Sequence, residues 1–357
     1  MTPRERVLTA LSRRVPDCVP KTMSLCPSQL ERFRQETSAE DPASYFGFEV
    51  RDVHPLPARP SGDLTPYRRG YPEGARVDEW GVGWAKGSEY HFERILHPLA
   101  GARSVQEIAR YPLPDLAAEE RFAGFAAAVT SLHEQGLAVV AHCTPLGGTV
   151  FWPAYKLRGM EALMMDMMTT PELAEALLDR VTEVSSRLAA RLASFDIDVL
   201  WLADDFGTQR ALMMRPALWR SWFKPRLQQV IDAARSARAG LLVAFHSDGK
   251  IDEIIPDLID IGVDVLNPLQ PEVTNIAAIK REYGGHLAFW GGVGTQTTLP
   301  FGSPTDVRQA VRELILAVGA GGGLLVAPTH LVEPEVPWEN ILALVQAVED
   351  YGWYELG

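Results

Sequence analysis

The feature that most constrains this chain is an event repeated through its second half. A short β-type apolar run stops, and a residue able to bind or react stands at its C-terminal edge. Val199-Leu200-Trp201-Leu202-Ala203 runs into Asp204-Asp205, and Leu241-Leu242-Val243-Ala244-Phe245 into His246-Ser247-Asp248-Gly249. Val263-Asp264-Val265-Leu266 ends in Asn267-Pro268, Leu287-Ala288-Phe289-Trp290 in Gly291-Gly292, and Leu324-Leu325-Val326-Ala327 in Pro328-Thr329-His330. Parallel strands covered on both faces read as continuous apolar runs. In a closed (β/α)8 barrel their C-terminal ends surround one mouth, where the chemistry sits. The pattern predicts an α/β enzyme of the TIM-barrel type with its site at these strand ends.

The rest of the chain fits one such barrel over 1–357, a length also compatible with two smaller domains. Thr2-Pro3-Arg4-Glu5 opens like a capped helix, with Pro3 in the first helical position and Glu5 completing a capping box. A first strand is expected near Val19 to Leu25. The Pro- and Gly-rich stretch 40–110 reads as an excursion beside the mouth, with a hairpin built from Ala75 to Trp84 and Tyr90 to Leu96. Its tryptophans either pack that hairpin or cover a ligand. From about residue 118 helical and strand patterns alternate, which gives a parallel architecture with right-handed crossovers. Eight strands are reached if segments near 18–25 and 47–53 join the six clearer ones. A doubly wound open sheet is the rival, but no G-x-G-x-x-G turn follows the first strand.

Net charge is −12 and there is no long basic run, so nucleic acid is not the expected partner. No stretch has the roughly 18 apolar residues of a membrane helix. The three cysteines, Cys18, Cys26 and Cys143, form neither a disulfide framework nor a metal knuckle. A reducing, cytoplasmic setting and no leader segment are expected. Cys143, near the mouth after His142, reads as an inert buried thiol.

Within the mouth, His246, Asp248 and His330 are the candidate metal ligands. Two imidazoles and a carboxylate make a zinc or non-haem iron set with open positions. The alternative pairs His246 with Asp248 and leaves His330 separate. Asp204 and Asp205 point in different directions. One is expected to face a ligand as acid, base or anchor, and the other to cap a helix. Asn267 is placed to orient a ligand or to bond its own loop. Gly292 permits close backbone approach, while Trp201 and Gln209 flank the same edge as candidate substrate contacts.

The chain resembles the uroporphyrinogen decarboxylase superfamily. The resemblance lies in Thr2-Pro3-Arg4-Glu5-Arg6-Val7, Asp204-Asp205-Phe206-Gly207-Thr208-Gln209, His246-Ser247-Asp248-Gly249, the run from Ile255 to Pro268, Trp290-Gly291-Gly292 and Pro337-Trp338-Glu339-Asn340-Ile341. It implies a (β/α)8 barrel and either of two activities. One is porphyrinogen decarboxylation, for which such enzymes carry an early arginine-rich segment; Val19 to Arg32 here lacks that cluster. The other is zinc-dependent methyl transfer with a corrinoid protein. There the family's metal set is a His-x-Cys pair and a later Cys, and His246, Asp248 and His330 occupy the matching positions. Carboxylate and imidazole in place of thiolates make a harder site and a stronger Lewis acid. The expected function is metal-dependent methyl transfer from a small methylated substrate to a corrinoid protein or thiol, with a divalent ion, zinc, as cofactor. The alternatives are cofactor-independent decarboxylation of an acidic substrate and non-catalytic binding of a small ligand.

Overall fold

A computed structural model describes residues 1–87 and 93–354. Seven parallel strands form the main sheet: β1 (Val50–Val53), β5 (Ala138–His142), β6 (Val199–Ala203), β7 (Leu242–His246), β8 (Val265–Asn267), β9 (Ala288–Val293) and β10 (Leu324–Pro328). Their spatial order follows the chain order without reversal, β1-β5-β6-β7-β8-β9-β10. A doubly wound sheet requires a reversal, so the architecture is of the (β/α)8 barrel type.

The expected strand over Val19–Leu25 is only partly formed. It bridges β10 in parallel at Lys21–Val326 and the loop beyond β10 at Leu25–Val332, with Thr22 N–H donating to the Val326 carbonyl at 3.0 Å and Val326 N–H to that of Pro20 at 2.9 Å. Pro20 has no N–H to give, which limits the ladder. On the β1 side a side chain serves instead. Buried Glu49 accepts the Lys21 N–H at 3.0 Å and an Arg6 guanidinium N–H at 3.2 Å. This irregular segment fills the eighth position.

Inside the sheet, side chains alternate inward and outward. Val50, Ala138, Val140, Val199, Ala244, Val265, Ala288, Trp290, Leu325 and Ala327 form one buried interior cluster. Val7 and Leu11 join it from the helix Pro3–Leu11, which closes the N-terminal end. The expected capping box holds that helix: Glu5 N–H donates to Thr2 Oγ1, and the Thr2 N–H to the Glu5 carboxylate at 2.8 Å. The outward residues, among them Val139, Val243, Phe245 and Phe289, pack under the surrounding helices.

The excursion is a three-stranded antiparallel meander, β2 (Arg76–Val77), β3 (Gly83–Lys86) and β4 (Glu93–Leu96). Of the expected second hairpin strand, Tyr90, His91 and Phe92 lie outside the described residues. Trp80 is buried, and Trp84 donates to Asp78 at 2.8 Å and faces the Lys156 ammonium. These tryptophans fasten the meander. Among the described residues no helix is long and apolar enough to cross a membrane.

Candidate active site

The top interior layer of the barrel is polar and aromatic. Continuing the inward alternation along each strand gives Asp52 on β1, His142 on β5, Trp201 on β6, His246 on β7, Asn267 on β8 and Trp290 on β9. These six line one cavity of about 190 Å³, together with Thr22, Met23, Ser24, Thr329 and His330. No lysine or arginine occurs among its described lining residues.

Asp205, His246 and Asp248 converge at the rim, each offering one ligand atom within 4.8 Å of the others. Two glycines make that closeness possible. A Cβ on Gly207 would stand 2.6 Å from the Asp248 carbonyl oxygen, and one on Gly249 2.5 Å from the Gly207 backbone. The loops after β6 and β7 therefore touch backbone to backbone. Phe206 N–H donates to Ser247 Oγ at 3.0 Å, and Asp248 N–H to Asp205 Oδ1 at 2.9 Å.

The protonation of His246 follows from its neighbour. Asn267 Nδ2 donates to the Trp290 carbonyl at 2.8 Å, so its Oδ1 is the atom facing His246 Nδ1. An oxygen acceptor there requires Nδ1 to carry the proton. In the neutral ring Nε2 then presents a lone pair. It stands 3.6 Å from Asp205 Oδ1 and 3.8 Å from Asp248 Oδ1. Asp248 Oδ1 is buried without any hydrogen-bond partner. Burial pushes the Asp248 carboxyl above its ordinary range; His246 opposes this, Asp205 adds to it, and His330 opposes it. A lone pair and two carboxylates meet, with Asp248 Oδ1 unpartnered and Asp205 Oδ1 bonded only by the Asp248 N–H, an arrangement that a divalent cation satisfies.

The predicted site residues fall into different places. His246 and Asp248 share the cluster, whereas His330 stays outside it: His330 is exposed at the far rim and reaches Asp248 only through its field. Asp205 takes the place expected for His330. Asp204 does not face the cavity. Strand parity turns it outward, where it is fully buried and accepts N–H bonds from Val150 at 2.8 Å and Trp152 at 2.9 Å. It thus caps the helix Phe151–Arg158 (not the helix that follows it in sequence), and burial pushes its carboxyl up to about 7. Trp201 and Asn267 line the cavity, while Gln209 sits exposed on a turn away from it. Gly292 serves packing: its φ is +93°, its N–H bonds the Pro268 carbonyl, and a Cβ would press on Leu314 at 2.6 Å. Cys143 is buried against the Ser185 carbonyl, with its thiol pushed up by burial.

Two residues escaped sequence reasoning. His142 Nε2 lies 2.9 Å from Asp52 Oδ1, and both face the cavity. Burial works against the Asp52 charge, but the His142 hydrogen bond, His142 and His54 charges and Arg51 outweigh it and hold the carboxyl below its usual range. The signal was parity: His142 lies two residues beyond inward Val140, and Asp52 two beyond inward Val50.

The family model described as Uroporphyrinogen decarboxylase (URO-D) matches residues 2–351. The chain belongs to the uroporphyrinogen decarboxylase family. It is 28% identical over 198 residues to a methylcobamide:CoM methyltransferase MtaA of Methanosarcina barkeri, covering 56% of this chain and 55% of that protein. It is 23% identical over 184 residues to a uroporphyrinogen decarboxylase of Coxiella burnetii, covering 51% and 48% respectively. The chain thus spans about half the length of the curated relatives it matches. A methyltransferase from Methanosarcina mazei superposes over 98% of this chain and 99% of its own, with a TM-score of 0.68 at 18% identity, a likeness of fold. The relatives are enzymes, one transferring methyl groups and the other decarboxylating.

Proposed function

We propose that this chain is a metal-dependent methyltransferase that moves a methyl group between a small methylated compound and a corrinoid protein or thiol. The observation that carries the proposal is the meeting of Asp205, His246 and Asp248 at the mouth, with Asp248 Oδ1 buried and unpartnered. Those three residues would hold a divalent ion, with zinc the expected metal. Once bound, such an ion supplies Lewis acidity that stabilises a thiolate or polarises a ligand atom. Asn267 fixes the His246 ring, Trp201 and Trp290 exclude water along one side, and the Asp52–His142 pair can hold or pass a proton at His142. The lining disfavours the decarboxylase alternative, because a heavily carboxylated substrate finds no guanidinium or ammonium there.

Protein purified without added metal should contain near-stoichiometric ion by elemental analysis. It should demethylate methylcobalamin in the presence of a thiol. Metal-free protein that is fully active in chelator would overturn the metal-dependent reading. A holoprotein that binds small methylated ligands but never changes them would make the chain a binder.

A further inference from the structure

We propose that the methylated compound taken by this cavity is a compact onium cation, a small quaternary ammonium or sulfonium. The inference rests on the methyl-transfer reading above and names its substrate class.

The first argument is the wall. Four rings follow one another around the top layer. His142 and Trp201 have centroids 5.6 Å apart, Trp201 and His246 6.1 Å, and Trp201 and Trp290 5.1 Å. The two indoles meet at 79°, making an aromatic corner in a cavity all four rings line. Indole faces attract alkylated cations through the ring quadrupole, more strongly where water is excluded.

The second argument is charge. Asp52 faces the same cavity, whereas Asp205 and Asp248 at its rim are committed to the ion. The ammonium of Lys156 acts outside the lining. It donates to the Leu146 carbonyl and rests between the Trp84 and Trp152 rings, 5.2 and 5.0 Å from their centroids. A carboxylate or sulfonate donor would meet the Asp52 carboxylate, with no lysine or arginine among the described lining residues to pair with it and His142 already bonded to Asp52. An onium group meets a carboxylate and π faces.

The third argument is the chemistry of departure. When an onium methyl is transferred, its C–N or C–S bond breaks and the electron pair stays on nitrogen or sulfur, leaving a neutral amine or sulfide. The acceptor, a thiolate or a cobalt(I) corrinoid, supplies the pair for the new bond to carbon. No proton is needed on the departing atom, whereas an alcohol or ether donor needs one. Charge is annihilated along the path, which a partly desolvated, aromatic-walled cavity favours over bulk water.

The test uses the full-length metal-loaded protein and a matched pair of probes. Choline and 3,3-dimethylbutan-1-ol share shape and differ by one charge. By titration calorimetry, choline should bind at least ten-fold tighter than the neutral alcohol. Trp201→Ala should weaken choline at least ten-fold, and Trp201→Phe by only a few-fold, with thermal melting confirming that both fold. Equal affinity for the charged and neutral probes, or no choline binding, overturns the proposal. Methyl loss from methylcobalamin is read separately. Its failure alongside retained choline preference would remove the methyl-transfer reading and leave the ligand class standing.

Discussion

The two ends of the barrel interior are built from the same strands and do opposite things. Below the mouth, Val50, Val140, Val199, Ala244 and Val265 point inward, and Val7 and Leu11 stopper the interior from the first helix. At the C-terminal end the next inward positions are Asp52, His142, Trp201, His246 and Asn267. One step of two residues changes an apolar core into a reactive cavity. The lower layers can anchor the fold without touching substrate, and the upper layer can carry unsatisfied groups because the layers below hold the strands.

That separation predicts which substitutions cost activity and which cost stability. The largest effects belong to the top. His246→Ala and Asp248→Ala should each abolish stoichiometric metal and lower methyl transfer at least ~100-fold, since ligands matter more than the outer-shell partners whose loss already costs ~10–100-fold. The urea midpoint of metal-free Asp248→Ala should match the parent, because Asp248 Oδ1 has no partner to lose, whereas His246→Ala gives up its bond to Asn267 and should cost about 1 kcal/mol. At the bottom, Leu11→Ala removes a fully buried side chain and should cost about 2–5 kcal/mol in urea unfolding. Metal content and turnover per folded molecule should stay unchanged. A Leu11→Ala protein that folds but no longer binds metal would break the separation.

The same contrast is compressed into the adjacent pair Asp204 and Asp205. Asp204→Ala leaves the Val150 and Trp152 N–H groups without their acceptor and should cost about 2 kcal/mol while keeping the metal. Asp205→Ala should do the reverse, and His330→Ala should keep the metal. Asp204 also sets a pH dependence. Its folded carboxyl titrates at about 7, whereas an unfolded aspartate titrates near ~3.9. Between those values the folded state holds the extra proton, so stability should fall as pH rises from about 4 to about 7 and level off above. Denaturation midpoints across that window should slope downward in the parent and flatten in Asp204→Ala.

Much of this was legible in the sequence. The apolar runs located six of the seven strands, and their last residues pointed to His246, Asp248, Asn267 and Trp201. What the runs concealed was parity. A strand buried on both faces is apolar on both, so nothing in Val199–Ala203 announces that Trp201 faces the cavity and that Asp205, not Asp204, continues its side. β1 was obscured for the opposite reason. Val50-Arg51-Asp52-Val53 is short and half polar, so it entered only as a segment that completes the eight strands, and its inward Asp52 was not singled out. The choice of His330 over Asp205 came from its place at the end of another strand, and the family pattern then agreed with it. The loop contact that puts Asp205 beside Asp248 depends on Gly207 and Gly249 packing together, a long-range fact that no local pattern carries.

Asn267 offers the finest division between support and chemistry. It touches no reacting group, yet through Nδ1 it decides which His246 nitrogen carries the lone pair. Asn267→Ala frees the ring to turn and to exchange tautomers, and should weaken metal binding ~10–100-fold in competition with a chelator. Asn267→Asp keeps an oxygen on Nδ1 and makes the imidazole a better donor, so metal affinity should hold within a few-fold. That variant loses the N–H bond to the Trp290 carbonyl and should cost about 1 kcal/mol of stability. If both variants weaken the metal equally, the residue acts through packing alone. If only the alanine does, the oxygen acceptor at Nδ1 is what prepares His246 for the ion.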